Sequence, residues 1–206
     1  MKLFTYPQAP SPQRVHLFLA AKGMDIEQEV VDIRAGEHLQ PEFARRHPDC
    51  TVPALELDDG TILGQSAAIC RYLEDIQPDP PLLGATPQQR ARIHDRDHWV
   101  EMNGLLAVME GFRNAAAGMK DRALSGQRPV AQIPELAERG RQRFDWFMHD
   151  LDAMLSHSRY VAGDEFSVAD ITALVTVDFG LRALKTGIPD HCKSLKRWHE
   201  GMQARF

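Results

Sequence analysis

Apolar and polar residues alternate in short bursts over the first third of the chain and recur with a helical period over the rest. Residues 2–6, 29–33, 54–57 and 61–63 read as strands, the last two joined by Asp58-Asp59-Gly60 as a hairpin turn. Val15, Phe18 and Leu19 fall at i, i+3 and i+4, which predicts a first helix that stops at Lys22-Gly23. Ser11 reads as its N-cap and Pro12 as its first helical residue. Residues 36–47 are a polar or irregular helix. Residues 66–76 are a helix whose inner face carries Ile69, Cys70, Leu73 and Ile76, with Ser66 placed as its cap. The resulting β-α-β-α-β-β-α order predicts a mixed sheet.

Gln77-Pro78-Asp79-Pro80-Pro81 breaks the chain, and every strong pattern after it is helical. Residues 87–117 read as a long helix interrupted by Gly104, with Gly111 a second candidate break. A loop over 118–133 holds Gly118, Gly126 and Pro129, and Pro134 opens a helix to about residue 156. Ser167 and Asp170 have capping-box spacing, with Phe166 placed to staple against Ile171. Losing either cap should cost about 0.5–2 kcal/mol. The helix they open, 168–184, is apolar on nearly every side and should be the buried centre of its domain. A last helix spans 194–203. The expected organisation is a first domain at 1–77, a linker at 78–86 and an all-helical domain at 87–206.

Composition narrows this picture without redirecting it. The 206 residues suffice for one large or two small domains, and 43% hydrophobic with 26% charged residues is ordinary for a globular chain. A net charge of −5 argues against nucleic acid as a main partner. The excess falls in residues 1–78, with seven basic and twelve acidic side chains. No apolar stretch approaches the roughly 20 residues of a membrane span, and the chain starts with a strand, not a signal-peptide pattern. Three cysteines, Cys50, Cys70 and Cys192, have no metal-binding spacing and fit a reducing cytosol. His98 and Glu101 lack an HExxH partner, so no metal is expected.

Two segments carry the chemistry. Pro53 stands immediately before the apolar run Ala54-Leu55-Glu56-Leu57, where it should mark a strand's start, and it is a candidate for a cis bond that turns the Val52 backbone outward. The helix start at Ser66 leaves N–H groups and a positive dipole end free for a carboxylate. A strand-edge backbone beside an anion-binding helix start suits an extended peptide with a free α-carboxylate.

These motifs, in their order, resemble the soluble glutathione transferase superfamily over essentially the whole chain. His47-Pro48-Asp49-Cys50-Thr51-Val52-Pro53-Ala54-Leu55 is similar to its "NPxGxVPxL" stretch. Gly64-Gln65-Ser66-Ala67-Ala68-Ile69 through Tyr72-Leu73 is similar to its "ESxAIxxYL" helix. Gly36 to Phe43 resembles its helix-two segment, and Phe166 to Asp170 its C-terminal capping motif. The Arg14 to Leu19 helix and Phe112-Arg113-Asn114 look most like the atypical bacterial and yeast-type class. The resemblance implies a thioredoxin-like α/β N-terminal domain, an all-α C-terminal helical bundle, glutathione as co-substrate, no metal, and a cytoplasmic homodimer. It also implies attack on small hydrophobic electrophiles, in a detoxification role, in a pocket lined by the loop at 7–12 and by residues such as Leu105, Met109 and Phe112.

Residue roles follow from the same resemblance. Ser66 would hold the γ-glutamyl carboxylate, and Gln65, where Glu is commoner, the ammonium. Val52 would pair its backbone with the cysteinyl part, held outward by Pro53. His38 would meet the glycyl carboxylate, its alternative being a solvated surface position. Leu39 replaces a Lys often found beside it. The thiol activator stays open among the helix-one N-terminus with a bound water, the Ser11 hydroxyl and Tyr6. The serine-type pattern, counted back from Val15, puts its serine at Ala9, which cannot donate. Arg113 and Asn114 are candidates to orient a water or the second substrate. A glutathione-dependent peroxidase or reductase, and a non-catalytic glutathione carrier, remain alternatives; the loop's lack of cysteine weakens the reductase.

Overall fold

A computed structural model describes residues 1–206, and the chain divides into two compact units. The first comprises Met1–Pro80 with Ser125–Arg128, the second the remainder.

In the first unit, β1 (Lys2–Thr5), β2 (Glu27–Val30), β3 (Ala54–Glu56) and β4 (Ile62–Leu63) form one sheet in the order β2-β1-β3-β4. β1 runs parallel to β2, with Leu3 opposite Gln28, and antiparallel to β3, with Leu3 opposite Leu55; β3 and β4 are antiparallel. The parallel pair needs a crossover, supplied by α1 (Pro10–Lys22). Phe4, Val31, Phe43 and Ala54 form a core cluster, Phe43 coming from α2 (Pro41–Arg46). Leu3 and Leu55 are buried, as are Val15, Phe18 and Leu19 of α1 and Ile69 and Leu73 of α3 (Ser66–Ile76).

The second strand starts two residues earlier than its apolar letters imply. Its four paired residues are all exposed, and Glu27 and Glu29 pair with Lys2. The apolar signal marks the exit, where Val31 enters the core and Asp32 accepts from the amides of Arg34 and Ala35 to turn the chain. Past α3, Lys22 holds the Pro-rich break. Its fully buried Nζ donates to the carbonyls of Gln77 (2.7 Å), Pro78 (3.2 Å) and Pro80 (2.5 Å) and pairs with Glu74. The Asp79-Pro80 bond is cis.

The second unit is helical. α4 (Pro87–Val100) passes through a π turn at Glu101–Leu105 into α5 (Leu106–Ala115); α6 (Pro134–His157), α7 (Val168–Leu184) and α8 (Lys193–Gln203) follow. Gly104 sits in the π turn, where a Cβ would come within 2.8 Å of Phe147 and Thr176. Gly111, in contrast, interrupts nothing: it lies inside α5, where its backbone meets Gly140 of α6. It is Gly140 that lets the two helices cross this closely, since a Cβ there would collide with the Gly111 and Ala107 backbone.

The apolar helix α7 is the centre of this unit, with Ile171, Ala173, Val175 and Val177 fully buried. Its capping box is closed, the Ser167 side chain accepting from the Asp170 backbone and the Asp170 side chain from the Ser167 backbone. Asp170 does more than cap: Oδ1 also accepts from the Val161 amide (2.9 Å) and Trp198 Nε1 (3.1 Å). Burial pushes its carboxyl up to about 6, against the pull of these donors. Phe166 meets Tyr160 and Phe206 edge-on or tilted, with the Arg205 guanidinium 4.0 Å from its ring. No helix is long and apolar enough to cross a membrane.

Candidate functional site

The helix starts of the first unit are where the predicted residues gather. α1 begins one residue before Ser11, with Ala9 as N-cap and Pro10 at the first helical position. Ser11 is therefore not the cap, and its side chain makes no cap bond. Pro10 suits the first helical position as well as Pro12 does, because either lacks an N–H that would be orphaned anyway.

The consequence for donors is specific. A helix start normally exposes its first amides. Here Pro10 and Pro12 have none, Ala9 N–H donates to the Tyr6 carbonyl (2.9 Å) and Gln13 N–H to the Ala9 carbonyl (3.1 Å). Ser11 keeps the one free amide of the first turn, and its half-buried hydroxyl has no partner in the chain either. Tyr6, half-buried at the end of β1, uses only its carbonyl, in the bond from Ala9.

α3 starts at Ser66, and its cap is Gln65, which makes no side-chain cap bond. The sequence-based cap at Ser66 is thus displaced by one residue. The reason lies 55 residues away: the buried Ser66 Oγ donates to the carbonyl of Ser11 (3.0 Å), which joins the two helix starts. Ile69 N–H bonds the Gln65 carbonyl, so the amides of Ser66, Ala67 and Ala68 stay free. Gln65 is exposed.

The Val52-Pro53 bond is cis. Val52 is half-buried, its side chain against the Phe4 and Phe43 cluster, and neither its N–H nor its C=O has a partner in the chain. His38 lies on a 3-10 turn, Glu37–Leu39, and is 7% exposed, which excludes the open surface position left as its alternative.

Three supports escaped the sequence reading. Buried His47 packs edge-on to Phe43 and lies 3.1 Å from Thr51 Oγ1, and a Cβ on Gly64 would overlap its ring. Burial lowers its pKa, opposed by Asp49, so the neutral ring is favoured. His16 of α1 is also lowered by burial, and its Nε2 lies 2.7 Å from Thr5 Oγ1. Cys50 is fully buried at φ 51°, the left-handed region, at the glycine position of the "NPxGxVPxL" pattern; Gln127 Nε2 donates to its Sγ (2.8 Å) and to the Pro48 carbonyl. That glycine in the pattern was the available signal.

The two candidates of the second unit are occupied. Asn114 is buried; its Nδ2 donates to the Glu110 carbonyl (2.9 Å) and its Oδ1 accepts from the Ile133 amide (2.9 Å). Arg113 donates to the carbonyls of Arg122 and Leu124. Neither is a solvated helix end; both tie down the loop between α5 and α6. All three cysteines are buried thiols outside any disulfide.

The arrangement is a thioredoxin-like sheet with two open helix starts and one unpaired peptide just before β3. Comparison with known proteins gives it a class. The family pattern "Glutathione S-transferase, N-terminal domain" matches residues 9–76, and "Glutathione S-transferase, C-terminal domain" residues 127–205. Glutathione S-transferase 2 of Saccharomyces cerevisiae is 34% identical over 207 residues, 100% of this chain and 86% of the yeast protein. The crystal structure of Gtt2 from the same yeast aligns with a TM-score of 0.89 at 34% identity, covering 98% of this chain and 96% of that one. A glutathione S-transferase domain-containing protein of Marinobacter aquaeolei VT8 aligns with a TM-score of 0.92 at 35% identity, covering 100% and 98%. The chain belongs to the glutathione S-transferase family, in its yeast-type branch, and is an enzyme of that family.

Proposed function

We propose that the first unit binds glutathione and ionises its thiol at the start of α1, for attack on small hydrophobic electrophiles. One observation carries the reading: Ser11 alone in that turn presents a free amide and a free hydroxyl, while its carbonyl is held by Ser66.

A thiol becomes a nucleophile as its thiolate, so the site must lower its pKa by one or two units. The Ser11 amide, the dipole of α1, and the hydroxyl, directly or through water, favour the charged sulfur as the proton leaves to solvent. The free amides of Ser66, Ala67 and Ala68 accept the γ-glutamyl carboxylate, with Gln65 beside them for the ammonium. The unpaired Val52 peptide, before Pro53, takes the cysteinyl backbone as a short added strand. His38 answers the glycyl carboxylate. Asn114 holds its loop and takes no proton. The three buried thiols support a reducing, cytoplasmic setting. The homodimer and the detoxification role rest on the family likeness.

The test is thiolate absorbance of bound glutathione, titrated between about pH 5 and 9, in the wild type, Ser11→Ala, Ser11→Pro and Tyr6→Phe. Ser11→Ala should keep most of the ionisation; Ser11→Pro, which also deletes the amide, should lose it and lower kcat by about 10²–10³. Thermal melts confirm the fold of each variant. Loss already in Ser11→Ala makes the hydroxyl the activator, and loss only in Tyr6→Phe moves the role there. Binding without ionisation in the wild type favours the carrier.

A further inference from the structure

The cysteine spacing holds no metal pattern, but the fold of the second unit brings together two histidines and a cysteine that no part of the glutathione chemistry uses. His149 comes from α6, and His191 and Cys192 from the turn that enters α8. His191 Nε2 lies 3.2 Å from His149 Nδ1, and Cys192 Sγ lies 3.9 Å from that same Nδ1. All three ligand atoms lie within 4.8 Å of one another. We propose that His149, His191 and Cys192 form a binding site for one zinc-class divalent cation, with its fourth position open to solvent.

The histidine nitrogens already stand close to the spacing a metal sets, and the sulfur has to draw in toward them. Zinc binds imidazole nitrogen at about 2.0–2.1 Å and thiolate sulfur at about 2.3 Å, which in a tetrahedron sets ligand atoms about 3.3–3.6 Å apart. Nitrogen and sulfur together select a borderline-soft cation over calcium or magnesium, which take oxygen. A carboxylate also stands where it could support a metal-bound His149: with Nδ1 turned to the cluster, Nε2 lies 3.8 Å from Asp145 Oδ2, one turn earlier on α6, and would have to close to hydrogen-bond distance.

The turn is held before any ion arrives. The Cys192 amide bonds the Pro189 carbonyl (3.0 Å), and the Leu195 amide bonds Asp152 Oδ1 of α6 (2.8 Å). Cys192 is the N-cap residue of α8, yet its side chain makes no cap bond; the sulfur points to His149 instead. A shared proton between two imidazoles would account for the histidine pair alone, but not for the thiol beside it. The rings are stacked, 4.7 Å apart with 19° between their planes, so each must turn about χ2 for the lone pairs to converge. Both are exposed enough to do so. As the sulfur–metal bond forms, the thiol proton passes to solvent.

The test is titration of the full-length, tag-free protein with Co2+ under a non-chelating reductant, followed by displacement with Zn2+. One equivalent should saturate, with a thiolate-to-cobalt charge-transfer band and the visible bands of a tetrahedral site, all abolished by Zn2+. Cys192→Ser should remove the charge-transfer band. His149→Ala and His191→Ala should each weaken binding at least about tenfold. The histidine variants decide the matter if the buried cysteine variant folds poorly, with circular dichroism as the check. No band, a band that survives in a folded Cys192→Ser, or affinity unchanged in both histidine variants overturns the site.

Discussion

Two kinds of helix start occur in this molecule. α4 and α7 begin with closed capping boxes, Thr86 with Gln89 and Ser167 with Asp170, so the third amide of each is spent inside the chain. α1 and α3 begin with residues that make no cap bond, and the free donors there are a chosen few: one amide on α1, three on α3. An unfilled amide is a loss of stability unless something from outside fills it. The closed ends serve folding, and the open ends are where an anionic ligand gains most.

The comparison breaks most visibly at Asp170. A cap substitution costs about 0.5–2 kcal/mol. Asp170→Ala would also orphan the buried Val161 amide and Trp198 indole, so the loss should reach about 3–5 kcal/mol in urea melts. A loss near 1 kcal/mol would show that Asp170 is a cap and nothing more.

The same residue gives a pH signature. Its folded pKa, about 6, lies above the ordinary 3.8, so the folded chain favours the protonated form. The stability that this adds is complete below about pH 4 and lost as pH rises through about 6. Relative to Asp170→Asn, the wild type should therefore lose about 3 kcal/mol between about pH 4 and 7. A flat difference would mean that the donors to its carboxylate cancel the effect of burial.

At an open end the exchange should run the other way. Gln65→Ser supplies α3 with the side-chain cap that it lacks. It should add about 0.5–1 kcal/mol of stability and raise the KM for glutathione above that of Gln65→Ala, by about threefold to tenfold. Equal KM values would detach the α3 amides from ligand binding. At the exposed box of α4 the effect stays with stability alone: Thr86→Ala should cost about 1 kcal/mol and leave the KM unchanged.

The sequence showed the elements better than their partnerships. The order of elements along the chain, the buried α7 with its capping box and the cis bond at Pro53 are local signals, written in neighbouring letters. The starts of α1 and α3 were each misplaced by a residue or two. Two prolines compete for the first position of α1, and the Ser66 hydroxyl is claimed by a carbonyl 55 residues away. Asn114 carries a polar side chain suited to chemistry, and only the fold shows that both ends of its amide are already bonded. Cys50 adopts a backbone conformation that its letter gives no reason to expect, and His149 meets Cys192 only because α6 and α8 pack together. What stayed hidden is long-range pairing, which no periodicity encodes.

The crossing of α5 and α6 bears on how this chain can evolve. A methyl group on Gly140 would run into the backbone of Gly111 and Ala107, which cannot yield without separating the helices. A methyl group on Gly111 would meet chiefly a terminal carbon of Leu184, which can rotate or shorten. The two glycines look equivalent in the alphabet but differ in freedom to drift. In descendants that keep this crossing, position 140 is frozen, while position 111 can admit alanine once position 184 has changed first, so the order of the two mutations decides whether the path is open.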